Sequence, residues 1–149
     1  VTPNIAGLTL NWMIAMYCLA INLVRPTLGQ VIGIGLVAGA LNVPTSKSAI
    51  PYANLISEPI GALTCALFLP LVSRLNIGGL PLAPGLTGFF STVASGFTFV
   101  TLLKVILSIP NEVYLYGMLP VVLAVGAANG VITQLLYLPA RKLLNRQED

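Results

Sequence analysis

Four stretches of this chain, Ile5–Val24, Asn54–Ser73, Leu86–Leu107 and Tyr116–Leu138, each run for about twenty residues with almost no charge. A helix of about 20 apolar residues, rising 1.5 Å per residue, crosses the ~30 Å hydrocarbon core of a bilayer. A fifth apolar run, Leu28–Leu41, is shorter at roughly 21 Å. It spans only if its flanks continue the helix over residues 27–43. Composition closes the soluble alternative. Charged residues make up 7% of the 149, against about 25% in a soluble domain, and 56% are hydrophobic. Too few charges remain to cover a water-facing surface. A barrel is equally poor as a reading, because barrel strands alternate polarity over about ten residues and these runs are continuously apolar. The expectation is an all-α, polytopic transmembrane helix bundle forming one domain over residues 1–149. Its spans are expected near 5–24, 27–43, 54–73, 86–107 and 116–138, followed by a tail at 139–149.

Several chemistries are excluded by what is missing. The sequence has no His, and its one Asp is Asp149. Without His no Ser-His-Asp or Cys-His site can form, and Cys18 and Cys65 lie too far apart in the chain for a zinc or iron–sulfur spacing. The segment Gly33-Ile34-Gly35-Leu36-Val37-Ala38 matches a dinucleotide fingerprint only formally, lacking the preceding strand and the later acid. No Walker A motif is present in the sequence, so ATP hydrolysis would have to come from a partner. No enzyme, cofactor, metal site or nucleic-acid partner is expected.

Arg25-Pro26, the stretch from Asn42 to Ala53 with Pro44 and Pro51, the stretch from Asn76 to Gly85, and Ser108-Ile109-Pro110-Asn111 punctuate the spans. With five crossings, Arg25, Arg74, Arg141, Lys142 and Arg146 fall on one side, and Lys47 and Lys104 on the other. The excess of basic residues marks the cytoplasmic side and puts the C-terminus there, in a cell membrane, expected to be a bacterial plasma membrane. That arrangement leaves the first residue outside and predicts a sixth helix upstream. Glycines and other small residues at four-residue spacing, Gly29/Gly33, Gly35/Gly39, Gly88/Thr92/Gly96 and Gly126/Gly130, predict close helix contacts.

Charges at membrane depth mark binding sites or pathways more than packing. Glu58 lies about 6 Å inside the third span, and Lys104 about 5 Å inside the end of the fourth. At matched depth they could pair, or hold the amine and carboxylate of one zwitterion. Alternatively, Lys104 snorkels and Glu58 caps a helix start. The segment from Asn42 to Asn54, with Thr45, Ser46, Tyr52 and Asn54, is expected as a long, proline-stiffened outer loop roofing a pocket. Tyr52, Tyr114 and Tyr116 share that outer level, as an interfacial belt or as ligand cover. The deep amides Asn11, Asn129 and Gln134 each need a partner.

The segment Asn54-Leu55-Ile56-Ser57-Glu58-Pro59 resembles the Asn-Ile-Ile-Asp-Lys-Pro segment of the small bacterial tryptophan transporters. The run Gly33–Leu41, Leu119-Pro120, Ala128-Asn129-Gly130-Val131-Ile132 and Tyr137-Leu138-Pro139 are similar as well. That family is similar in architecture to the S components of energy-coupling-factor transporters, six-helix proteins that capture micronutrients near the outer face. The resemblance implies a first helix missing here, and Ser57-Glu58 replaces the transporters' Asp-Lys, which leaves the substrate open. It also implies a ligand beneath Thr2–Asn4, Asn42–Asn54 and Ser108–Glu112. An energy-coupling membrane protein and ATPase subunits would be the partners.

These readings combine into an expectation of a membrane substrate-binding or uptake protein for a small micronutrient or amino acid. Its expected binding residues are Asn4, Thr45, Ser46, Tyr52, Asn54, Glu58, Lys104, Tyr114 and Asn129. The alternative is a non-transporting interaction or assembly subunit whose polar residues only join helices.

Overall fold

The computed structural model describes residues 11–145, and within them the fold is an all-α bundle of five helices. Helix α1 (Trp12–Val24) starts where the Asn11 side chain accepts a hydrogen bond from the Met13 amide. It stops where Arg25 turns left-handed at φ 50° and Pro26 bars another helical turn. Helix α2 (Leu28–Thr45) begins with the Gln30 side chain accepting from the Thr27 amide at 2.9 Å.

The expected long outer loop is mostly helix. Residues Asn42–Thr45 continue α2 with Pro44 inside its last turn, and the Ser46 amide closes that turn on the Asn42 carbonyl at 2.8 Å. A proline so near a helix end removes a single backbone donor and leaves the preceding turns intact. Only residues 46–50 remain irregular before a 3₁₀ turn, Pro51–Ala53, which runs directly into α3 (Asn54–Val72).

A two-stranded hairpin follows, β1 (Asn76–Ile77) with β2 (Leu80–Pro81), its turn made by Gly78 and Gly79 at φ 58° and 82°. Helix α4 (Ala83–Leu107) ends at a left-handed Ser108. A wide π-helical segment, Val113–Met118, leads into α5 (Leu119–Asn145). Because α5 passes through Pro139 to Asn145, most of the expected tail begins as helix. Four continuous helical segments, Leu28–Thr45, Pro51–Val72, Ala83–Leu107 and Val113–Asn145, are long and apolar enough to cross a membrane. Helix α1 has 13 described residues, and the rest of the expected first span lies outside the described residues.

Burial is arranged as lipid demands. Leu71, Val105, Leu135 and Leu67 are exposed at 61–72%, while Thr87, Ser91, Asn129 and Thr133 are fully buried. In water this distribution would be costly in both directions. In a bilayer it is the stable one, since apolar side chains can face lipid and polar ones must pair inside. The chain is therefore a membrane protein by fold as well as by composition.

Helix α2 packs on α3, α3 on α4 and α4 on α5, while α1 lies against α3, α4 and α5. The closest approach is between α2 and α3. A Cβ on Gly35 would overlap the Pro59 backbone, and one on Gly39 would come within 2.6 Å of the Asn54 carbonyl oxygen. These two glycines bring α2 against the first turns of α3. Gly29 and Gly33 differ from the sequence expectation, for a Cβ on either meets nothing within 4 Å.

Candidate ligand-binding site

Glu58 occupies the second turn of α3, facing inward, and is 1% exposed. Its Oε1 accepts hydrogen bonds from Asn11 Nδ2 and from Asn42 Nδ2, the latter at 2.8 Å. Donors from the start of α1 and the end of α2 thus hold one carboxyl oxygen. The other, Oε2, is buried and makes no hydrogen bond among the described residues, though the Tyr17 hydroxyl on α1 neighbours the carboxyl group. The adjacent Ser57 hydroxyl, also 1% exposed, is unpartnered in the same sense.

Both residues line a partly open cavity of about 70 Å³. Its remaining polar wall is Asn11, Asn54, Thr92 and Ser95, and its apolar wall includes Ile14, Phe99 and Val122. A cavity of this size holds more than one water.

Asn11 is the junction of the site. Its Oδ1 caps α1 through the Met13 amide at 3.1 Å, its Nδ2 reaches Glu58, and its carbonyl accepts from Asn129 Nδ2 at 3.2 Å. Asn129 Nδ2 also donates to Thr92 Oγ1 at 3.1 Å, and Thr92 donates in turn to the Gly88 carbonyl. Asn129 Oδ1 is a third buried oxygen without a partner among the described residues. Helices α1, α3, α4 and α5 therefore meet around one carboxyl group.

Of the expected residues, Asn54 and Glu58 line this cavity, and Asn129 sits one hydrogen bond behind it. Lys104 and Tyr114 are brought together elsewhere. The Lys104 ammonium lies 4.7 Å from the Tyr114 ring centroid, and the Tyr114 hydroxyl is 2.9 Å from Thr101 Oγ1. The expected matched depth of Glu58 and Lys104 does not hold. A Cβ on Gly61 would lie 2.9 Å from Ser95 Cβ, so those residues are level. Lys104 is nine residues beyond Ser95 and Glu58 three residues before Gly61, which sets Lys104 about 9 Å further along the bundle axis.

Thr45, Ser46 and Tyr52 do not line the cavity, and Tyr52 is 67% exposed. Thr45 turns back on its own helix, its hydroxyl donating to the Leu41 carbonyl at 3.2 Å. Asn4 lies outside the described residues. Sequence reasoning missed Asn42 as a donor, Ser57 as a free hydroxyl, and Thr92, Ser95 and Phe99 as wall. The hydroxyls Thr87, Ser91 and Ser95, spaced four apart on α4, were the available signal.

A second polar cluster lies deeper. Asn22 Nδ2 donates to Thr87 Oγ1 and to the Cys18 carbonyl, each at 2.8 Å, with Cys65 Sγ 3.8 Å away. Thr87 in turn donates to the Ala83 carbonyl at 2.8 Å. Between the two clusters, Ser91 donates to the Gly61 carbonyl at 2.7 Å. No group of three or more His, Cys, Asp or Glu able to hold a metal ion occurs among the described residues.

Comparisons of the chain with family models, curated proteins and solved structures return no match.

Proposed function

We propose that this protein binds a small micronutrient or amino acid within the membrane and takes part in its uptake. The observation that carries the reading is the pair of buried groups, Glu58 Oε2 and Ser57 Oγ, that lack partners among the described residues on the wall of one cavity. An unpaired polar group costs roughly 1–3 kcal/mol when buried, more when charged, and it persists where something else completes it. A carboxyl group at membrane depth is a functional feature by default.

The antiparallel order of α3, α4 and α5 sets Arg74, Arg141 and Lys142 at one end and Lys104 at the other. Arg25 and Arg74 also line a common pocket. This supports an orientation with the C-terminus in the cytoplasm and the Glu58 end outward. The likeness of the Asn54–Pro59 segment to the tryptophan transporters, and through them to S components, supports the same class. Energy for uptake would then come from a coupling membrane protein and ATPase subunits.

The test is a thermal-shift screen of the purified protein against vitamins and amino acids. Saturable stabilisation by one compound, lost in Glu58→Gln, is the expected result. An empty screen, with Glu58→Gln melting as wild type does, contradicts it and favours an assembly subunit whose polar residues join helices.

A further inference from the structure

From the bonding state of each polar group in the cavity wall, and resting on the binding reading above, we infer that the ligand enters with a primary ammonium group foremost, docking on Glu58, Ser57 and Asn54. The wall's amide and threonine donors are already engaged, and its Ser57 and Ser95 hydroxyls can turn to accept as well as donate. Asn11 Nδ2 is committed to Glu58, Asn54 Nδ2 to the Pro51 carbonyl at 2.8 Å, and Thr92 Oγ1 to the Gly88 carbonyl at 2.8 Å. What remains open is chiefly acceptor capacity. Glu58 Oε2 and Ser57 Oγ are unpartnered, and the Asn54 side-chain oxygen receives no hydrogen bond from the described residues. Three acceptors match the three N–H bonds of an ammonium group.

Charge selects in the same direction. Among the described residues one carboxyl group and no Lys or Arg lines the cavity, and Lys104, the cation expected to match Glu58, is held over Tyr114. A carboxylate or phosphate entering here would meet Glu58 with nothing to neutralise it. A neutral ligand with no O–H or N–H would leave the buried carboxyl oxygen unpaired, and a neutral donor would pair it without balancing its charge. An alkali ion would find only a few free oxygens among apolar neighbours, short of the full shell a hard cation takes. Ile14, Val122 and the Phe99 ring instead suit the carbon body of an amine, with the ring able to face a cation. Any carboxylate on the same molecule must therefore point away from Glu58.

Melting of the full protein in lipid nanodiscs, titrated with phenethylamine, 2-phenylethanol and 3-phenylpropionate in sodium or potassium buffer, tests this. Phenethylamine is expected to bind about tenfold or more tighter than the isosteric alcohol, the scale of a charge-assisted hydrogen bond. The acid should give no shift. Glu58→Gln should erase the preference for amine over alcohol, and Ser57→Ala, a smaller change to the fold, should weaken amine binding severalfold. Equal binding of amine and alcohol, preference for the acid, stabilisation by sodium with none by the amine, or no shift with any probe overturns the ammonium inference. In each of those cases a hit among vitamins lacking a free amine leaves the uptake reading standing. Only an empty screen removes both.

Discussion

Two polar clusters sit in the same apolar bundle, and they are built on opposite plans. Around Asn22, the amide donates to the Thr87 hydroxyl and the Cys18 carbonyl, and the Thr87 hydroxyl donates in turn to the Ala83 carbonyl. Asn22, Thr87, Cys18 and Cys65 are all buried, and no side-chain nitrogen or oxygen of theirs is both fully sealed from solvent and unpartnered among the described residues. Around Glu58, three buried side-chain oxygens are left without partners among the described residues, two of them on residues that line a cavity. Both clusters join an asparagine to hydroxyls, so those residue types alone do not separate them, and only the cavity cluster adds a carboxyl group, that of Glu58. The difference lies in the remaining valence. A polar group that joins helices is satisfied by them, whereas a group that serves a ligand is left incomplete.

The largest effect that would sharpen this contrast is expected at Glu58. Glu58→Gln should reduce affinity for the bound compound by about thirtyfold or more, the scale of truncating a buried, hydrogen-bonded charge. Equilibrium binding in nanodiscs measures it, and an unchanged affinity would make the two clusters equivalent. Gly35→Ala follows in size. Its Cβ would overlap the Pro59 backbone beside Glu58, and overpacking of this kind costs about 1–3 kcal/mol. Melting in detergent should fall, and ligand affinity should fall with it because α3 carries the carboxyl group.

Asn22→Leu should cost less, about 0.6–1.7 kcal/mol, the range for interhelical hydrogen bonds in membranes. Affinity should stay at the wild-type value. A ligand defect in this variant would break the division between joint and site. Gly29→Ala should have the smallest effect. With open space around its Cβ, the substitution should raise helix stability by about 0.4–1 kcal/mol without touching either cluster.

Much of the fold was legible because lipid imposes a simple rule on long apolar runs. Four of the expected spans meet helices long enough to cross a membrane, the first meets α1 from Trp12 onward, and α3 begins at Asn54. Glu58 and Asn129 stood out for the same reason, as polar residues at membrane depth, whereas Asn54 stood out as the end of the outer loop and the start of the segment that resembles the tryptophan transporters. Two features were hidden. Pro44 reads as a stop signal, yet near a helix end it removes one donor and the helix runs on to Thr45, so the roofing loop shrinks to a short connection. Depth also misled, because measuring from each span's own end assumes that neighbouring helices start level. Helix α4 extends well past the start of α3, which carries Lys104 away from Glu58. Ser57 and Asn42 were illegible for another reason. Their importance lies in which hydrogen bonds they make or lack, and only the packed structure decides that.

Cysteine accessibility compares the two clusters in a single experiment. Cys18 and Cys65 are native reporters of the sealed cluster, both fully buried, and Ser57→Cys introduces a thiol at the cavity wall. In intact nanodiscs a small water-borne methanethiosulfonate should label the Ser57→Cys protein rapidly while leaving the wild type unlabelled. Ligand should protect the introduced thiol. If that thiol reacts no faster than the native pair, no water-reachable cavity exists beside Glu58, and the account of this protein as a solute-binding membrane protein fails.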